Sequence, residues 1–240
     1  MAVDVALART LPAGEGVLRV YEWSRPTLSF GRNQPARERF EHLPFSRMGF
    51  EGIGVDVVRR PTGGREVLHD RELTYSMVAP RPMGLTPRDI YQTVTGAIAE
   101  ALQSLGVPAR VSPSAGQAAA LGSGPCFAAP GAGEIEMGGR KLVGSAQVRI
   151  EGSVLQHGSL PLEPPTVDIP GLEFGGITLA DLLPTGSPGA AFDRVALALE
   201  ETVSAALPGT WSKGQLRSEE SEVAKALLPY YESPSWTLRG

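Results

Sequence analysis

Cysteine is nearly absent from this chain: among 240 residues there is one, Cys126. One cysteine closes no internal disulfide, which fits a reducing compartment and predicts a cytoplasmic protein. It supplies no thiolate zinc site either. The histidines number three, His42, His69 and His157, without metal-ligand spacing, so no metal is expected. No apolar run approaches the roughly 20 residues of a membrane span. The first residues, Met1 to Arg9, lack the basic region and apolar core of a signal peptide. Charge is close to balanced, at −4, so neither nucleic acid nor an anionic membrane surface is expected as a partner. The 42% hydrophobic and 20% charged residues are ordinary for a globular protein, and the length suffices for a substantial core.

Locally the chain is less even. Arg59, Arg60 and Arg65 surround Gly63-Gly64, and His69-Asp70 follows. Consecutive glycines between strands permit a tight hairpin, and they also let a ligand approach the backbone. Guanidinium groups and backbone N–H donors together suit phosphate or carboxylate oxygens, so the cluster reads as an anion site. It is neither a Walker A loop nor a Rossmann fingerprint, because the glycine spacing and helix context differ.

Alternating residues predict strands over 17–23, 27–31, 54–60, 66–69 and 72–78. The clearest helix spans Pro87 to Leu105, with Thr86 as cap, Pro87 at its first position, Asp89 in the first turn and Gly106 as stop. Residues 112–133 form a long Gly/Ala/Ser/Pro-rich loop, mobile or functional, that holds Cys126. Three strands over 133–137, 141–150 and 153–160 make an antiparallel meander, and helices are expected near 192–207 and 218–229. The fold class is α+β: one mixed, largely antiparallel main sheet with packed helices.

Three further places carry chemistry. Lys141 opens a strand beside Gly144-Ser145-Ala146, whose small side chains leave room for a ligand chain. Such a lysine is either a solvated edge residue or a donor to a carbonyl that becomes more negative in a transition state. Cys126 is either a small buried hydrophobe or a thiolate that accepts an acyl group. His157 precedes Gly158, which suggests close approach of another group; His42 has no assignable partner.

These segments, in this order, resemble the lipoate–protein ligases and octanoyl or lipoyl transferases, relatives of the biotin protein ligases. Arg59-Arg60-Pro61-Thr62-Gly63-Gly64-Arg65 with Val67-Leu68-His69-Asp70 looks like the family's Arg-Arg-x-Ser/Thr-Gly-Gly motif ending in His-Asp. Gly139-Arg140-Lys141-Leu142-Val143-Gly144-Ser145-Ala146-Gln147 looks like its lysine motif, Leu155 to Leu160 like the next strand, and Tyr230-Tyr231 with Trp236-Thr237 fits the C-terminal part. The resemblance covers most of the chain and implies one catalytic domain, residues 1–240.

Gly-Gly-Arg where ligases usually read Gly-Gly-Gly, the end of the chain at Gly240, and Pro125-Cys126-Phe127 ahead of the lysine motif all point to the cysteine-dependent, Gram-positive-type octanoyltransferases. The resemblance then implies that Cys126 takes an octanoyl group from octanoyl-acyl carrier protein, assisted by Lys141. It passes the group to a lysine of a lipoyl domain, either glycine-cleavage H protein or a dehydrogenase E2. Arg60, Gly63, Gly64, Arg65, His69, Gly144, Ser145, Ala146 and His157 would line the substrate pocket, and no cofactor is needed. Two rivals predict otherwise: an ATP-dependent lipoate ligase, using ATP and magnesium, and a non-catalytic module that holds a lipoyl group or carrier protein. Glu66 stands where the family commonly has a small residue. Pointing inward it would disfavour an apolar chain or a phosphate; pointing away it would change nothing.

Overall fold

The computed structural model describes residues 1–41, 49–50, 52–80, 85–113, 133–184 and 187–239. Two sheets organise the chain. The larger has six strands in the order β1 (Val17–Tyr21), β6 (Glu72–Pro80), β10 (Ser153–Pro161), β9 (Arg140–Ile150), β8 (Ile135–Met137) and β7 (Arg110–Val111). All its pairs are antiparallel, and β8–β9–β10 is the expected meander. The smaller sheet runs β3 (Gly49–Phe50), β4 (Val55–Arg59), β2 (Thr27–Phe30) and β5 (Val67–His69), with β2 and β4 parallel. This second sheet corrects the expectation of one main sheet; the α+β class and the strand positions hold.

Side-chain alternation gives each sheet two unlike faces. On β6, Leu73, Tyr75 and Met77 turn to a core packed by α3 (Pro87–Ser104) and α4 (Phe192–Ala206), through Ile90, Val94, Ile98, Leu102, Val195 and Leu199. The opposite face of β6 carries Glu72, Thr74, Ser76 and Val78. There α1 (Ala2–Thr10) covers the Val78 end, with Leu7 and Ala8 against Val78 and Leu155. On the small sheet Leu28, Phe30, Val55 and Val57 join Phe40, Phe50 and Ile169 in a separate core. Its other face presents Ser29, Val67 and His69.

Helix α3 begins as expected: Thr86 Oγ1 accepts from the Asp89 amide at 3.2 Å, and Asp89 Oδ2 accepts from the Thr86 amide at 2.8 Å. The chain closes with α5 (Ser218–Tyr231), which packs on α1, and the short α6 (Pro234–Thr237), after α2 (Ala36–Arg39) earlier in the order. No described helix is long and apolar enough to cross a membrane.

Candidate active site

The unlike faces of the two sheets meet at a pocket. Its floor is one transverse row of the large sheet: Tyr21 opposite Thr74, Thr74 opposite Ser159, and Ser159 opposite Gly144. The next row of the same face brings His157 opposite Ala146. The facing wall is Ser29, Val67 and His69 of the small sheet, with Gly63, Gly64 and Arg60 at the turn, and Lys141 and Glu134 stand at one end. Thus Arg60, Gly63, Gly64, His69, Lys141, Gly144, Ser145, Ala146 and His157, spread over nearly a hundred positions of sequence, line one cavity.

Arg65 is not among the lining residues; it contributes its carbonyl as an acceptor for Arg60. Cys126 and His42, and most of the long loop, lie outside the described residues.

The arginines divide their work by strand alternation. Arg60 turns to the pocket side. Its guanidinium donates to the Ser29 carbonyl at 3.1 Å, to Ser29 Oγ at 3.0 Å and to the Gly63 carbonyl at 3.0 and 3.2 Å, which clamps the Gly-Gly turn. Arg59 turns the other way, fully buried, and binds main-chain carbonyls of residues 31–34 and 236–239. The expected three-arginine anion site is therefore corrected: one arginine shapes the turn and another anchors the C-terminal segment. Asp70 likewise serves structure, accepting from the Thr166 amide at 2.6 Å and hydroxyl at 2.7 Å. Gly31 completes the turn, because a Cβ there would sit 1.8 Å from the Gly64 carbonyl oxygen. Gly158 also needs its bareness, since a Cβ would meet Tyr75 Cε1 at 2.4 Å and the Gly144 oxygen at 2.6 Å. The close approach expected at Gly158 is made by the protein itself.

His69 is held from three sides. Its Nδ1 donates to Glu72 Oε1 at 2.7 Å, its Nε2 meets Ser29 Oγ at 2.7 Å, and Trp23 stacks on the ring with centroids 4.5 Å apart. A carboxylate only accepts, so Glu72 fixes the proton on Nδ1. Glu72 also accepts from Thr74 and Ser159, and Thr74 accepts from Trp23 Nε1 at 2.9 Å. Sequence reading missed Ser29, Glu72, Thr74, Ser159 and Trp23. The polar alternation Glu72, Thr74, Ser76 between apolar neighbours was a signal for a polar sheet face.

Glu66 points away from the pocket. It belongs to the face of Leu68, opposite to Val67 and His69, and its carboxylate accepts from Gln34 and from Arg39 Nε at 3.0 Å. It lines a separate depression with Val167, Leu172 and Phe174. Neither inward nor solvated, it leaves the pocket unobstructed. Glu66→Ala is expected to lower stability by roughly 1–3 kcal/mol through its stranded partners, while kcat/KM for acyl transfer stays within about twofold. Urea denaturation and steady-state kinetics on the one variant check both.

His157 shares a 2.6 Å hydrogen bond with Thr62 Oγ1. Burial above all, opposed by Asp4 and reinforced by Arg60, pushes its imidazole down to about 3. The unfolded chain takes up this proton near pH 6.5 and the folded chain only near 3, so stability is complete above 6.5 and declines as pH falls through that window. His157→Gln should flatten the slope of unfolding free energy between pH 6.5 and about 4. An unaltered slope would show that other groups carry it.

A model of the lipoyl protein ligase A/B catalytic domain matches residues 1–170. The chain belongs to this family. Over 264 aligned residues, 100% of this chain and 93% of the relative, it is 36% identical to the octanoyltransferase LipM of Kyrpidia tusciae. To the octanoyltransferase LipM of Carboxydothermus hydrogenoformans it is 41% identical over 169 residues, 68% of this chain and 60% of that protein. Among solved structures, a lipoate-protein ligase A bound with ATP superposes with a TM-score of 0.77 at 22% identity, covering 99% of this chain and 92% of that one. A bi-partite lipoate protein ligase from Thermoplasma acidophilum gives 0.72 at 20% identity, covering 99% and 89%. At these identities the superpositions speak for the fold, and they place this chain in the family's α+β architecture. Among the described residues, no group of three or more His, Cys, Asp or Glu is arranged to hold a metal.

Proposed function

We propose that this protein is an octanoyltransferase of lipoate biosynthesis, one catalytic domain that moves an octanoyl group from octanoyl-acyl carrier protein to a lysine of a lipoyl domain. The observation that carries the reading is the single pocket in which the Arg60–Gly63-Gly64 turn, His69, Lys141, Gly144-Ser145-Ala146 and His157 converge. The relatives that bear the name octanoyltransferase, one of them aligned over 93% of its length, support the same activity. Glycine, serine and alanine on the floor leave space for an apolar chain, and each methylene buried there contributes roughly 0.8 kcal/mol.

In the first step Cys126 gives up its proton and its thiolate attacks the thioester carbon, and the carrier's phosphopantetheine sulfur departs and takes up that proton. In the second the acceptor amine attacks the acyl-cysteine, an amide forms, and the amine's proton returns to the departing Cys126 sulfur. Lys141 donates to the carbonyl oxygen while it is negative. Acceptors are the lipoyl-bearing H protein or a dehydrogenase E2 domain, and the transfer uses no cofactor.

Incubation with octanoyl-acyl carrier protein, followed by intact mass measurement, should give a protein heavier by one octanoyl group. Cys126→Ser should give none that transfers onward. Transfer to an apo lipoyl domain should proceed without ATP. Transfer seen only with free acid and ATP would establish the ligase instead, and no transfer under either condition would leave a binding module.

A further inference from the structure

Among the described residues, every cationic group that lines the pocket is already engaged. Arg60 is committed to Ser29 and to the carbonyls of the turn. His69 lies between Glu72 and Ser29, and His157, buried, is bonded to Thr62. The Met1 ammonium faces Asp4 at 4.0 Å. Lys141, 4% exposed, is ion-paired to Glu134, with Nζ 2.6 Å from Oε1, and Glu134 itself lines the pocket. Residues 114–132 contain no Asp, Glu, Lys, Arg or His.

A β-bulge makes the pair. Between Ile135 and Glu136 the β8–β9 register shifts, so that Glu136 stands opposite Lys141 while Ile135 stands opposite Val143. Just before the bulge, Glu134 lies close enough to the strand's first lysine to hold its ammonium. A phosphate entering here would have to displace a carboxylate from that ammonium, in a buried setting where like charges repel strongly. An uncharged thioester carbonyl meets no such opposition.

We propose that Glu134 is the specificity-determining residue of this pocket: by neutralising Lys141 it admits an uncharged acyl thioester and turns away an acyl phosphate or nucleotide. The inference rests on the octanoyl-transfer reading only for the identity of the acyl chain.

The test is calorimetric titration of the full chain with two probes of equal chain length. One is the uncharged octanamide analogue of octanoyl-pantetheine; the other is octanoyl-sulfamoyl-adenosine, an anionic mimic of an acyl-adenylate. Wild type should bind the anionic probe at least about tenfold more weakly than the neutral one. Glu134→Gln should tighten the anionic probe by about tenfold or more and shift the neutral one by less than about twofold. Glu134→Asp, and the double variant Glu134→Gln with Lys141→Gln, should keep the wild-type ranking. Equal or tighter binding of the anionic probe to wild type overturns the proposal, as does an unaltered affinity in Glu134→Gln. The wild-type ranking decides even where that variant does not fold. A neutral probe that fails to bind would instead overturn the octanoyl reading, and a gain for the anionic probe in Glu134→Gln would still support charge control by Glu134.

Discussion

Arg59→Met is expected to lower the unfolding free energy by about 3–5 kcal/mol, near the upper end of single substitutions. The side chain is wholly buried, and its hydrogen bonds among the described residues go to main-chain carbonyls. Its five donors are shared among main-chain carbonyls: Gly31 and Gln34 at 2.7 Å and Arg32 at 3.2 Å on one side, Trp236 at 2.9 Å, Thr237 at 3.2 Å and Arg239 at 2.7 Å on the other. Trp236 returns a bond from its indole Nε1 to the Arg59 carbonyl at 3.0 Å. Burial, with Arg239 and Arg60 nearby, lowers the guanidinium to about 10, so it remains charged at neutral pH. Methionine would keep the volume but give none of these bonds; the Gly31 and Arg32 carbonyls keep the Gln34 amide and the Arg239 guanidinium, and the other four lose this donor. Arg59→Lys should fail nearly as badly, because three rotatable donors do not reproduce a planar fork. Urea denaturation gives the loss, and limited proteolysis should cut the released residues after α5 first. A loss below about 1 kcal/mol would mean that the clamp contributes little to the fold.

In Lys141→Met, kcat for octanoyl transfer should fall by about 10²–10³-fold, with KM changed far less. Lys141 lines the pocket with Gly144, Ser145 and Ala146, and in the proposed reaction the thioester oxygen it would face gains negative charge in the transition state and less in the ground state. Loss of such a donor therefore registers in turnover. Single-turnover decay of the octanoyl-enzyme in the presence of an apo lipoyl domain isolates the step. Activity within about tenfold of wild type would assign Lys141 to holding Glu134 alone.

Much of this site was readable in one dimension. The period-two alternation that sets Glu72 and Thr74 apart from Leu73 and Tyr75 also sends Arg59 and Arg60 to opposite faces, and Glu66 away from His69. Applied strictly, it would have assigned all three directions. The cap at Thr86 and the meander through Gly138-Gly139 followed from local chemistry, and the structure has both. The small sheet did not. Its parallel β2–β4 pair and its β2–β5 pair join segments with α2 and β3 between them, and no local pattern distinguishes a second sheet from a continuation of the first.

Residue types and spacing determined that this chain carries an arginine–glycine turn, a lysine among small residues and a histidine in each of two strands, because strand periodicity and glycine stereochemistry act over a few residues. Tertiary structure alone decided which of them meet. The Thr74–Ser159–Gly144 row, the clasp of His69 between Glu72 and Ser29, and the Glu134–Lys141 pair arise from strand register, a bulge and the packing of one sheet on another. Those are long-range choices, made by burying two apolar faces at once, and they bring residues scattered along the sequence into one pocket.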